Sequence, residues 1–188
     1  PAVTRQKMED GIAPLFMADD GPALAQAHAH LLGHLIGIDF SDSPHLSGIL
    51  EDPAQMRSRA FHAAAQALRR ISLADGCPLF IALDDLHWAD EGTLDFLDHL
   101  CRVNHDVPTL ILGLARPTLF ERRPAWRERH AGSAIELQPL DAQASTELAM
   151  QLLSRLPQIP AELLALLTTR AAGNPFFMEE LVKMLVDQ

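Results

Sequence analysis

No stretch of this chain stays apolar for the length that crossing a bilayer requires, and its first residues lack the pattern of a signal peptide. Basic residues are too few for a nucleic-acid surface: 15 Lys and Arg stand against 25 Asp and Glu, a formal net charge of -10. Cysteine is scarce. Cys77 and Cys101 are two lone thiols without metal-ligand spacing, so a reducing cytoplasm is the expected compartment. Internal repeats and low-complexity segments are missing too. What is present is ordinary globular material, 48% hydrophobic and 21% charged, enough for a real core. A length of 188 residues leaves room for one domain, or one domain and part of another. The chain starts at Pro1 rather than Met and stops at Gln188 in mid-pattern, so a piece of a longer protein is expected.

Helical and strand patterns alternate along most of the chain. Val3–Ala13 reads as a short helix. Pro22–Ile36 reads as another, with Leu24, Ala27, Leu31, Leu32 and Leu35 on its apolar side. Gly37–Ser47, with Pro44 and several Ser and Asp, is a loop. Asp52 and Pro53 open a helix through Arg70 or slightly beyond, its apolar face being Met56, Ala60, Ala63, Ala64, Ala67, Leu68 and Ile71. Leu79–Leu83 and Thr109–Ala115 are expected strands, and Ala134–Leu137 a third, brief one. Asp90 is placed to cap a helix through Leu94, Leu97, Leu100 and Cys101, and a short helix is expected around Ala125–Arg129. Three helices follow, over 141–155, 161–172 and 175–187, separated by Pro157, Pro160, Gly173 and Pro175, with a Leu-rich core of Leu152, Leu153, Leu156, Leu163, Leu164, Leu166 and Leu167. The sum is an α/β region over 1–140 and a helical region over 141–188.

The most informative residues are 79–91. Leu79–Leu83 is unbroken in hydrophobicity, as suits a strand of a parallel sheet buried on both faces, and it ends abruptly in Asp84 and Asp85. Sites in such sheets gather at the carboxyl ends of the strands. Nucleotide hydrolases place there a carboxylate for Mg²⁺ and a second acid that orients the attacking water. The segment therefore reads as a Walker B strand.

Taken with Leu110–Pro117 and with Gly173-Asn174-Pro175-Phe176-Phe177-Met178-Glu179-Glu180-Leu181, the chain resembles the AAA-like ATPase domain of the signal-transduction ATPases with numerous domains. The likeness is to the type found beside bacterial adenylate/guanylate cyclase domains and in large helix-turn-helix transcriptional regulators. It implies a phosphate-loop α/β core followed by a helical lid. Asp84 then matches the Mg²⁺ carboxylate, Asp85 the acid acting on water, and Arg116 the sensor of the γ-phosphate. Asn174 and Pro175 fall in the lid motif whose proline packs near the adenine. The cofactors implied are ATP and Mg²⁺. The implied partner is an attached output domain, cyclase or DNA-binding, with a nucleotide-dependent oligomer as a further implication. His87 is expected near the phosphate end, and Trp88 as a packing anchor after the strand.

One part of that pattern is missing. The phosphate-binding loop G-x-x-x-x-G-K-[ST] does not occur in residues 1–188. In the family it precedes the position of Val3, with the central strand of the sheet. The expectation is an ATPase parent, a chain that by itself binds ATP poorly, and an incomplete sheet. A degenerate scaffold between sensor and output domains, or an unrelated α/β hydrolase using Asp84 and Asp85 for metal-assisted chemistry, are the competing readings. His28, His30 and His34 are read as solvated helix-face histidines, since His30 and His34 have zinc-like spacing but no third ligand. Arg122, Arg123, Arg127 and Arg129 form a small basic patch read as solvated surface, an arginine finger being the alternative.

Overall fold

The computed structural model describes residues 2–154, 156 and 158–186, so the separator expected at Pro157 and the chain ends at Pro1, Asp187 and Gln188 lie outside the described residues. Two compact units divide the chain, Pro1–Trp126 and Arg127–Gln188.

The first unit opens with α1 (Ala2–Leu35), which is two helices joined at Gly21, where φ is 74° and ψ is 170°. Pro22 bars helical geometry at the residue before it, and the positive φ suits glycine alone. The first of the two helices thus runs well past Ala13 and carries Pro14 inside it. Arg70 holds the region of the break, donating to the Leu15 carbonyl (3.0 Å) and to Asp20 (2.9 Å) with its guanidinium over the Phe16 ring.

Helix α2 (Pro53–Asp75) begins as its sequence promises: Asp52 accepts the N–H groups of Ala54 and Gln55, and Gly76 ends the helix in left-handed conformation. Its junction with α1 is lined by alanines. Ala25, Ala29, Ala60 and Ala63 are wholly buried, whereas Leu24 and Leu35, expected on the apolar face, are exposed, as is Ile71. Leu31 and Leu32 of the expected face are buried, and the alanines beside them let the two backbones approach. Gly33 belongs to the same packing, since a Cβ there would stand 2.3 Å from the Phe40 ring.

Strands β1 (Leu79–Leu83) and β2 (Thr109–Gly113) form a parallel two-stranded sheet in which Leu79 faces Thr109 and Leu83 faces Gly113. Such a sheet is compatible with part of a phosphate-loop fold. Helix α3 (Glu91–Val103), capped by Asp90 through the Thr93 N–H, buries Leu94, Leu97 and Leu100. Leu94 and Leu97 join Leu83 and Ile111 in one core cluster. The opposite side of the sheet is bare: Phe80, Leu110, Leu112 and Leu114 are all exposed. The expectation of strands buried on both faces is therefore corrected to burial on alternate residues. Short helices α4 (Thr118–Arg122) and α5 (Pro124–His130) follow.

The second unit is built on α6 (Ala142–Leu152), α7 (Ala161–Ala171) and α8 (Pro175–Val186). Ala149, Leu153, Leu167, Ala171, Met178 and Val182 make its core. Leu156 and Leu166, expected inside, are exposed. The strand expected over Ala134–Leu137 is absent. Ile135 and Leu137 alternate as a strand would, yet both are 86% exposed and no described strand pairs with them. Alternation without a hydrogen-bonding neighbour does not make a strand.

Candidate functional site

The two acids lie where the strand pattern put them, at the carboxyl end of β1, and both are exposed. Asp84 Oδ1 accepts the Asp85 N–H at 2.8 Å, which leaves Oδ2 without a hydrogen bond to the described residues. Asp85 takes left-handed backbone geometry, φ 52° and ψ 36°. For a residue with a Cβ that conformation costs about 1 kcal/mol, and Asp tolerates it better than most. The turn it makes feeds directly into a 3₁₀ helix over Leu86–Trp88.

That 3₁₀ helix is sewn to the end of β2. Leu114 donates to the Leu83 carbonyl and accepts from the Leu86 N–H, both at 2.8 Å. Gly113 makes the approach feasible, because a Cβ there would stand 2.8 Å from Leu86 Cδ2. Arg116 follows three residues later with its side chain exposed, and its backbone N–H donates to His87 Nδ1 at 3.4 Å. The same Nδ1 lies 3.8 Å from Asp85 Oδ1. Asp84, Asp85 and Arg116 are thus gathered at one end of one small sheet.

The roles expected of His87 and Trp88 are reversed in burial. Trp88 is 79% exposed, its ring 5.2 Å from that of His87, while His87 is 8% exposed. In this turn Leu86 and His87 are buried and Trp88 turns out. With Nδ1 accepting from Arg116, the hydrogen sits on Nε2, which is buried and unbonded. A buried donor left unpaired costs about 1–3 kcal/mol, so the imidazole is not there for packing alone.

Asn174 and Pro175 are exposed residues of the second unit. Asn174 Oδ1 accepts the Phe177 N–H at 3.3 Å and Pro175 is the first residue of α8, so both start that helix. Gly173, at φ 79°, is compelled: a Cβ would meet the Leu140 carbonyl oxygen at 2.6 Å, and that backbone instead donates to the Gly173 carbonyl.

The arginine patch is more engaged than its sequence implied. Arg123 bonds Glu91 at 2.6 Å and Asp95 at 2.9 Å, and Arg122 donates to the Ala89 carbonyl. The histidines of α1 are also corrected, since all three are partly buried rather than fully solvated. His30 stacks on Phe40 and bridges Ser43 Oγ (2.7 Å) to Glu9 (3.0 Å). Ser43 Oγ also accepts the His45 N–H. The Ser–His–Glu chain pins the loop after α1, with Ser43 buried rather than presented as a nucleophile.

No group of three or more His, Cys, Asp and Glu among the described residues could hold a metal ion by itself. A single carboxylate with one uncommitted oxygen does fit Mg²⁺, which keeps several waters and is bound through one or two carboxylates and substrate phosphates. Among the described residues no helix is long and apolar enough to cross a membrane.

Residues 141–188 match a family described only as a domain of unknown function. A stretch of 138 residues, 70% of the chain, is 30% identical to an uncharacterized protein of Rhizobium meliloti (strain 1021). The chain spans 12% of the length of that relative. No solved structure matches the chain. Residues 3–112, more than half of the chain, match the AAA ATPase domain, a family that uses ATP and Mg²⁺, and the chain belongs to that family.

Proposed function

We propose that this chain is the Walker B and sensor portion of an ATP-dependent signal-transduction switch. The supporting observation is the convergence of Asp84, Asp85 and Arg116 at the carboxyl ends of two paired parallel strands. Mg²⁺, when bound with the nucleotide, neutralises phosphate charge, and Asp84 is the residue to hold it. Asp85 orients and polarises the attacking water. Its shorter reach than Glu suits slow turnover. Arg116 stabilises charge on the transferred phosphoryl group. Asn174 and Pro175 belong to a helical lid over 141–188 that contacts the adenine, and the core covers 1–140. The switch acts in the cytoplasm on an attached output domain, a cyclase or a DNA-binding module, and nucleotide-dependent oligomers belong to the same reading. A scaffold that no longer hydrolyses ATP is the second reading.

Calorimetric titration separates the parts. The 188-residue chain is expected to bind Mg-ATP with a Kd weaker than about 1 mM. A polypeptide carrying a phosphate-binding loop ahead of Val3 is expected to bind it and turn it over slowly. There, Asp85→Asn abolishes turnover and leaves binding within about threefold. Equal behaviour of Asp85→Asn and the parent, both without turnover, establishes the scaffold.

A further inference from the structure

The His87 side chain is 5% exposed, and its Nε2 makes no hydrogen bond. A leucine fills such a space without leaving a polar atom stranded. All polar contact of the ring is at Nδ1, which faces the Arg116 N–H at 3.4 Å and Asp85 Oδ1 at 3.8 Å. Nδ1 has one bonding direction in the ring plane and uses it to accept the Arg116 N–H; Asp85 Oδ1 at 3.8 Å is beyond hydrogen-bond reach, so the ring is joined to the Asp85 turn through the backbone that carries it. The backbone on both sides is held by the Leu86–Leu114 and Leu114–Leu83 bonds, so the ring bridges two fixed strand ends.

We propose that His87 is a positioning residue whose Nδ1 ties the Asp85 turn to the Arg116 segment, so that the acid facing water and the arginine facing phosphate keep one separation. The roles of Asp85 and Arg116 rest on the nucleotide-switch reading; the tie between them does not.

Three variants of the 188-residue chain test the tie by amide hydrogen exchange. His87→Leu keeps bulk without Nδ1, His87→Asn keeps an acceptor near Nδ1, and His87→Gln puts its amide near Nε2 instead. Exchange of the Arg116 amide is expected to accelerate about tenfold in His87→Leu and His87→Gln and to stay within about threefold of the parent in His87→Asn. Protection of the Leu86 and Leu114 amides reports that the turn is still folded. If His87→Leu loses that protection, the comparison of His87→Asn with His87→Gln decides. Equal Arg116 exchange in the Asn and Gln variants overturns the proposal, as does an unchanged rate in a folded His87→Leu. In a polypeptide with the phosphate-binding loop, His87→Leu and His87→Gln are expected to lower kcat for ATP at unchanged KM, with His87→Asn restoring it. Absence of turnover in the parent overturns the switch reading and leaves the exchange rates to judge the tie.

Discussion

His28 shows how one side chain can carry a pH dependence for the first unit. Its ring packs 4.3 Å from Phe16, and burial holds the imidazole below its ordinary value; Asp20 opposes this while Arg70 and His62 add to it. A histidine with a lowered folded value is protonated first in the unfolded chain as pH falls. The contribution to stability is complete above the unfolded value of about 6.5, declines as pH drops toward the folded value, and levels off below it. The urea midpoint of the chain is therefore expected to be lower at about pH 5.5 than at about pH 7.5. His28→Phe, which keeps the ring contact, should remove part of that difference. An identical difference in the variant would place the effect elsewhere, His99 being the other histidine lowered by burial.

At the scale of elements, caps and punctuation were legible where the chemistry is local. Asp52-Pro53 opens α2 and Asp90 opens α3, each carrying its signal within a few residues. Asp52→Ala is expected to destabilise the first unit by about 1 kcal/mol, read from the urea midpoint at unchanged slope. An unchanged midpoint would mean that Pro53 alone starts the helix. Legibility failed where burial depends on a distant neighbour. The Leu79–Leu83 run looked buried on both sides because hydrophobicity shows no orientation, yet one side meets α3 and the other is exposed. Ala134–Leu137 alternated correctly and had nothing to pair with. On α1, Leu31 and Leu32 marked the inward face correctly, whereas Leu24 and Leu35 are exposed and Ala25 and Ala29, which carry little hydropathic weight, are wholly buried. The site divides the same way. Asp84 and Asp85 followed from the strand that ends at them, whereas burial of His87 depends on how the end of β2 crosses the turn, twenty-nine residues on.

On the scale of the whole molecule, the division into Pro1–Trp126 and Arg127–Gln188 makes a prediction about where the chain can be cut. Residues 134–139 have no regular structure and are exposed, with Ile135 and Leu137 each at 86%. Leu140 is the first residue beyond them that is fastened, through its bond to Gly173. A protease acts on segments that can extend into its cleft without breaking a core, and helices resist it. A glutamate-specific protease is therefore expected to cut first after Glu136. Glu51 is the principal competitor, since it lies in the exposed turn before Asp52, but Leu46 and Leu50 beside it pack on the core of the first unit. Early cleavage at Glu136 should give two stable fragments, the larger keeping all of Asp84, Asp85, His87 and Arg116 and the smaller keeping Asn174 and Pro175. Both should retain helical circular dichroism, because each owns a separate apolar cluster. First cleavage at Glu51 would show that the turn before Asp52 opens more readily than residues 134–139, and loss of helicity in the smaller fragment would show that the helices after Leu140 depend on the rest of the chain for their stability.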